Sequence, residues 1–117
     1  MKLNYKLWLE EDDKKLFGDG PCDILQLVNK LGSLRKAAAE INMSYSQAWN
    51  LIKDLEEKLG FKLLEKKVGG ATGGGSKLTE KGKLLMDTFA SFRNEAEDCL
   101  SELEDKWFDE NFFRQLN

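Results

Sequence analysis

Three groups of residues in this 117-residue chain have types and spacings that could do chemistry. The first is Gly69-Gly70-Ala71-Thr72-Gly73-Gly74-Gly75-Ser76 followed by Lys77, which invites comparison with phosphate-cradling loops. A P-loop requires G-x-x-x-x-G-K-[ST]; here Ser76 precedes the lysine and Leu78 follows it, so the match fails twice. GxGxxG fails as well, because Leu78 stands where the third glycine belongs. The second group is Cys22 and Cys99, which lie far apart with no CxxC, in a chain without histidine. That argues against a zinc site, a disulfide scaffold, and Ser-His or Cys-His nucleophile pairs. The third group runs from Ser44 to Lys53 and presents hydroxyl, amide, aromatic and basic side chains in sequence. These types hydrogen-bond base edges and phosphates. The expectation is a non-enzymatic chain without metal or cofactor.

The elements that must position these residues follow from periodicity. Leu3, Tyr5, Leu7 and Leu9 alternate with Asn4, Lys6 and Trp8, which predicts a strand over 3–9. Lys14-Lys15-Leu16-Phe17 returns as a second strand after the polar turn Glu10 to Asp13. Ile24, Leu27, Val28 and Leu31 mark an amphipathic helix over 21–31, started by Pro21 and stopped by Gly32. Ser33 caps a second helix with the stripe Leu34, Ala37, Ala38 and Ile41. After Asn42, the capping-box pattern Ser44-x-x-Gln47 starts a third helix, which Gly60 closes. Residues 61–68 read as a strand, the glycine cluster as a mobile tip, and Lys77-Leu78 as the returning strand. Thr79 caps a final helix from about Glu80 to Trp107, and the tail beyond Phe108 carries no assignment.

Two helices joined by Ile41-Asn42-Met43 form a helix-turn-helix pattern. On a wheel at about 100° per residue from Ala48, the apolar set Ala48, Ile52, Leu55 and Leu59 centres near 15°. Ser46, Asn50 and Lys53 fall at roughly 160°, 200° and 140°, on the opposite face, with Tyr45 and Trp49 between. A plain bundle corner with a solvated outer face would show the same pattern. The strand, glycine tip and strand that follow favour a wing.

Charge supports that preference. The net charge of −3 conceals a basic middle: residues 30–90 carry 11 Lys/Arg against 7 Asp/Glu, whereas residues 91–117 carry 3 against 8. A local positive face, rather than the total, attracts phosphate. No apolar run has the length of a membrane span, and Met1 to Tyr5 starts no signal peptide, so a cytoplasmic location is expected.

Residues 20–92 resemble the DNA-binding domain of the molybdate-responsive ModE regulators. The resemblance is carried by Gly32-Ser33, Ala37-Ala38, Met43-Ser44-Tyr45-Ser46-Gln47-Ala48-Trp49, Gly69 to Gly75, and Leu78-Thr79-Glu80-Lys81-Gly82. Leu55 to Gly60 and Leu78 to Gly82 also resemble LysR-type regulators. The resemblance implies a dimeric transcription factor whose third helix and wing contact DNA. No oxyanion-binding portion follows the winged helix within the 117 residues, so no specific molybdate binding, and no small-molecule effector, is expected of this chain alone.

The expected fold is mainly α with small β-hairpins: a winged helix-turn-helix over 1–79, with its wing at about 61–79. A dimerisation helix and tail would occupy 80–117. Tyr45, Ser46, Gln47, Trp49 and Asn50 would read bases, and Arg35, Lys36, Lys53, Lys66, Lys67 and Lys77 would hold phosphates. Ser44 at the helix start and Gly73 and Gly74 at the wing tip complete the DNA-contacting set. Leu85, Phe89, Phe92, Ala96, Cys99 and Leu103 alternate spacings of four and three, the heptad seam of a homodimer. The alternative from another class is a winged-helix protein-interaction module that no longer binds DNA.

Overall fold

A computed structural model describes residues 2–67 and 75–117. Two two-stranded antiparallel hairpins and five helices alternate along the chain. Strands β1 (Trp8–Glu11) and β2 (Lys14–Gly18) form the first hairpin, with Glu11 opposite Lys14. Its two-residue turn, Asp12-Asp13, has φ of 52° and 62°. Both values lie in the left-handed region that a tight hairpin turn requires and that aspartate tolerates. Three helices follow: α1 (Asp19–Leu31), α2 (Leu34–Glu40) and α3 (Tyr45–Leu59). The second hairpin, β3 (Leu64–Lys66) with β4 (Ser76–Leu78), leads into α4 (Glu80–Trp107) and the short α5 (Glu110–Leu116).

The fold is the winged helix-turn-helix with a long C-terminal helix that the sequence implies; the strand expected over 61–68 is confined to Leu64–Lys66 within the described residues, and three further details differ. The N-terminal strand begins only at Trp8; residues 2–7 pair with no strand. They run instead toward α4, where the Leu3 N–H donates to Glu104 Oε1 at 3.1 Å. The alternation of Leu3, Tyr5 and Leu7 therefore belongs to no ladder: Leu3 and Tyr5 stay exposed and Leu7 packs against the core. Helix α1 starts at Asp19, two residues before Pro21, because Asp19 is tied to Leu7 in both directions. The Asp19 N–H donates to the Leu7 carbonyl at 3.0 Å, and the Leu7 N–H donates to Asp19 Oδ2 at 2.9 Å. The unassigned tail forms α5, capped by Asp109, whose Oδ1 accepts from the Phe112 N–H. The expected tip of the second hairpin, including Gly73 and Gly74, lies outside the described residues.

One core joins β2, helices α1 to α4 and the start of the second hairpin. Ile24, Leu25 and Val28 of α1, Leu34 and Ala37 of α2, and Ile52 of α3 are buried together with Phe17, Leu63, Met86 and Phe89. Each such large side chain contributes about 1.5–3 kcal/mol when fully buried. Phe17 meets Phe89 edge-on at 5.3 Å between centroids, a favoured aromatic geometry that fixes the first hairpin to α4. Ala37 and Ala38 leave room for α3 to approach α2, and the Met43 N–H reaches back to the Ala38 carbonyl at 2.9 Å. Asn42 makes the intervening turn at φ 55°. Cys22 is a core thiol: burial pushes its pKa up, and Sγ lies 3.7 Å from the Met86 carbonyl.

Candidate nucleic-acid interface

The first turn of α3 is organised by its cap. Ser44 Oγ accepts from the Gln47 N–H at 3.1 Å, and Gln47 Oε1 accepts from the Ser44 N–H at 3.1 Å. Two otherwise orphaned donors are satisfied reciprocally, which is why the helix begins where the sequence pattern places it. Ala48, Ile52 and Leu55 are buried, while Ser46, Gln47, Trp49 and Asn50 face outward. Tyr45 lies beneath the Arg35 guanidinium, 4.3 Å from ring centroid to Cζ. This stacking joins the outer faces of α2 and α3.

The wing is fastened to the helices at its base. The Ser76 N–H donates to the Gly32 carbonyl at 3.0 Å, and the Lys67 N–H donates to the Gly75 carbonyl at 3.0 Å. A Cβ on Gly75 would collide with the Gly32 carbonyl, so this approach needs glycine. Thr79 caps α4 by accepting from the Gly82 N–H, and its hydroxyl donates to the Lys62 carbonyl at 2.6 Å. Between wing and α3 lies a cleft of about 520 Å³, its sides formed by Arg35, Tyr45, Trp49, Lys53 and Lys66.

The cations expected to hold phosphates are not equally free. Lys53 Nζ lies 3.1 Å from Glu56 Oε1, and that hydrogen bond raises the lysine pKa. Lys77 pairs with Glu65 across the hairpin at 3.6 Å. A Cβ on Gly32 would meet the Lys67 ammonium, which therefore sits at the carbonyl end of α1, where a helix dipole favours positive charge. Lys36 and Lys66 are exposed and form no ion pair among the described residues.

Two residues with structural weight were not singled out by sequence. Glu56, 8% exposed, takes the N–H groups of Leu63 (2.7 Å) and Leu64 (3.2 Å) on Oε2 and Lys53 on Oε1. Burial alone would raise its pKa; the two backbone donors and Lys53 outweigh it and hold the carboxyl below its ordinary value. The signal was a glutamate one residue after the core position Leu55, flush with the buried stripe. Arg93 fastens α4 to α1, reaching Asp23 at 2.8 Å, Gln26 at 2.9 Å and Asp19 at 3.2 Å. The seam positions divide. Phe89 belongs to the core and Leu85 is half-buried, whereas Phe92 and Leu103 are 48% and 49% exposed and Cys99 is exposed.

A capped helix-turn-helix followed by a tethered hairpin defines a winged helix-turn-helix protein. The model of the bacterial regulatory helix-turn-helix proteins of the lysR family matches residues 22–83, more than half of the chain, and the chain belongs to that family. It is similar to the molybdenum transport protein ModE of Azotobacter vinelandii, with 25% identity over 101 residues, 86% of this chain and 37% of that protein. It is 32% identical over 93 residues to the DNA-binding transcriptional dual regulator ModE of Escherichia coli (strain K12), covering 76% of this chain and 36% of the relative. The chain thus spans little more than a third of the length of these relatives. Among solved structures, BenM_DBD in its complex with benA site 1 DNA superposes with a TM-score of 0.57 at 22% identity, over 73% of this chain and 90% of that one. Vibrio fischeri DarR in complex with DNA gives the same TM-score and identity over 73% of this chain and 27% of that one. At that identity the likeness establishes the fold.

Proposed function

We propose that this chain is a cytoplasmic transcriptional regulator that binds double-stranded DNA sequence-specifically as a homodimer, with α3 in the major groove and the wing on the adjacent backbone. The observation that carries the reading is the outer face of α3. Ser46, Gln47 and Asn50 are exposed at the capped end of a helix that packs on α2 and is tied to the start of the wing through Glu56. In this reading Tyr45 and Trp49 flank the base-reading residues, while Arg35, Lys36 and Lys66 supply phosphate contacts. Lys53, Lys67 and Lys77 serve only after release from their intramolecular partners. The homodimer reading rests on α4, whose Phe92, Leu103 and Trp107 remain exposed beyond the core. Similarity to the ModE proteins supports a link to molybdenum metabolism.

Selection of binding sites from random duplex DNA tests the reading. A defined, two-fold symmetric site is expected, and Asn50→Ala should lose about 1–3 kcal/mol on it, the worth of a good bidentate base contact. Retention of full affinity and preference by Asn50→Ala would mean that α3 does not present this face to bases. Recovery of sites beside genes for molybdenum handling would support the metabolic link, and their absence would remove it.

A further inference from the structure

We propose that the cleft between the first hairpin and α3 binds a small organic anion with an aromatic body, and that its occupant excludes DNA from α3. The second half rests on the DNA reading above; the first does not. The half-open cleft offers about 600 Å³, within the range of roughly 300–1,000 Å³ typical of small-molecule sites. It is assembled from three stretches far apart in sequence, residues 6–8, 15–21 and 47–58, and so could not be read from any one motif.

Its chemistry is specific. Phe17, Leu51 and Leu55 form an apolar floor, and Leu7 and the Trp8 indole form a wall. Trp8 is 45% exposed yet held, its Nε1–H donating to Glu10 Oε1 at 2.7 Å and Lys15 Nζ standing 4.6 Å from its ring centroid. A fixed, half-exposed indole in a cleft with apolar lining suits a flat ring. A bare oxyanion would gain nothing from that floor.

The rim supplies charge. Lys6, Lys15 and Lys58 border the cleft and form no ion pair among the described residues. Of the two carboxylates there, Asp19 is already engaged by Arg93 and the Leu7 N–H, which leaves Asp54 against three ammonium groups. An anionic group on the ligand complements this excess. Gln47 and Asn50 border the same cleft, so a ligand seated there stands against two of the proposed base-reading side chains.

Titration of the ¹⁵N-labelled full chain with 2-naphthoate, and separately with the neutral 2-naphthalenemethanol, tests the site. Saturable shifts of the Trp8 indole N–H and of the Gln47 and Asn50 side-chain amides are expected. The alcohol should bind about tenfold more weakly, as expected for loss of one charge-assisted contact. The exposed double substitution Lys6→Gln/Lys58→Gln should weaken naphthoate and leave the alcohol unchanged. Absence of saturable shifts, or equal binding of both probes, would overturn the site. Saturating naphthoate should displace a selected duplex; a stable ternary complex would overturn the exclusion. A chain that binds naphthoate in this way but no duplex at all would overturn the DNA reading and support the site.

Discussion

Glu56 joins α3 to the wing through one carboxylate, with backbone donors on one oxygen and an ammonium on the other. Removing it leaves the N–H of Leu63, a fully buried residue, without its acceptor. Glu56→Ala is therefore expected to destabilise the fold by about 1–3 kcal/mol, measured by urea denaturation. Because its pKa lies below the ordinary carboxylate value, Glu56 stabilises the fold above that value. The contribution disappears as pH falls through the depressed folded pKa. Glu56→Gln should flatten the stability profile on this acid side and leave its alkaline side unaltered by carboxylate titration. Gln47 has a comparable double duty. Its Oε1 is committed to the Ser44 cap, so in the proposed DNA complex only its NH₂ would remain to address a base. Gln47→Glu keeps a cap acceptor but removes that donor. The expected result is unchanged thermal unfolding with weakened, altered base preference in a binding-site selection.

At the level of elements, close approaches set the geometry. A Cβ on Gly82 would collide with the Leu63 carbonyl, so α4 can start beside β3 only with glycine there. Gly82→Ala should cost about 1–3 kcal/mol through overpacking, read as a lowered unfolding midpoint. Arg93→Ala removes three contacts between α4 and α1 and should destabilise by about 1.5–3 kcal/mol by the same measurement. The helices were legible because their ends are encoded locally. Ser33, Ser44 and Thr79 cap in the structure where the sequence places them, and Gly32 and Gly60 close α1 and α3 at φ of 73° and 81°. The strand expected over 3–9 starts at Trp8 because alternation alone does not supply a partner: Trp8 and Leu9 pair with β2, and residues 2–7 pair with no strand. Among candidate site residues, the outward set on α3 followed from helical period alone. Partners for Lys53 and Lys77 did not, because Glu65 faces Lys77 only once the hairpin register exists and a cation at helix spacing has several acids within reach.

For the whole molecule, extents of 64 × 32 × 22 Å describe an elongated body. Helix α4 has 28 residues, about 42 Å at 1.5 Å each, and its outer half carries apolar side chains the core does not reach. Sedimentation at micromolar concentration is expected to give a dimer, and Phe92→Glu/Leu103→Glu a folded monomer. A monomeric intact chain would remove the homodimer. The Arg93 clamp then acquires a geometric meaning. It fixes the rotational phase of α4 against α1, while the exposed apolar residues farther along would set the phase against a second copy. The helix between these points is a ruler and a protractor at once. Deleting seven residues between them would shorten it by about 10 Å and change its phase by only about 20°; deleting four would turn the two copies by about 40°. The first alteration should select operators with closer half-sites, and the second should abolish simultaneous engagement of both halves.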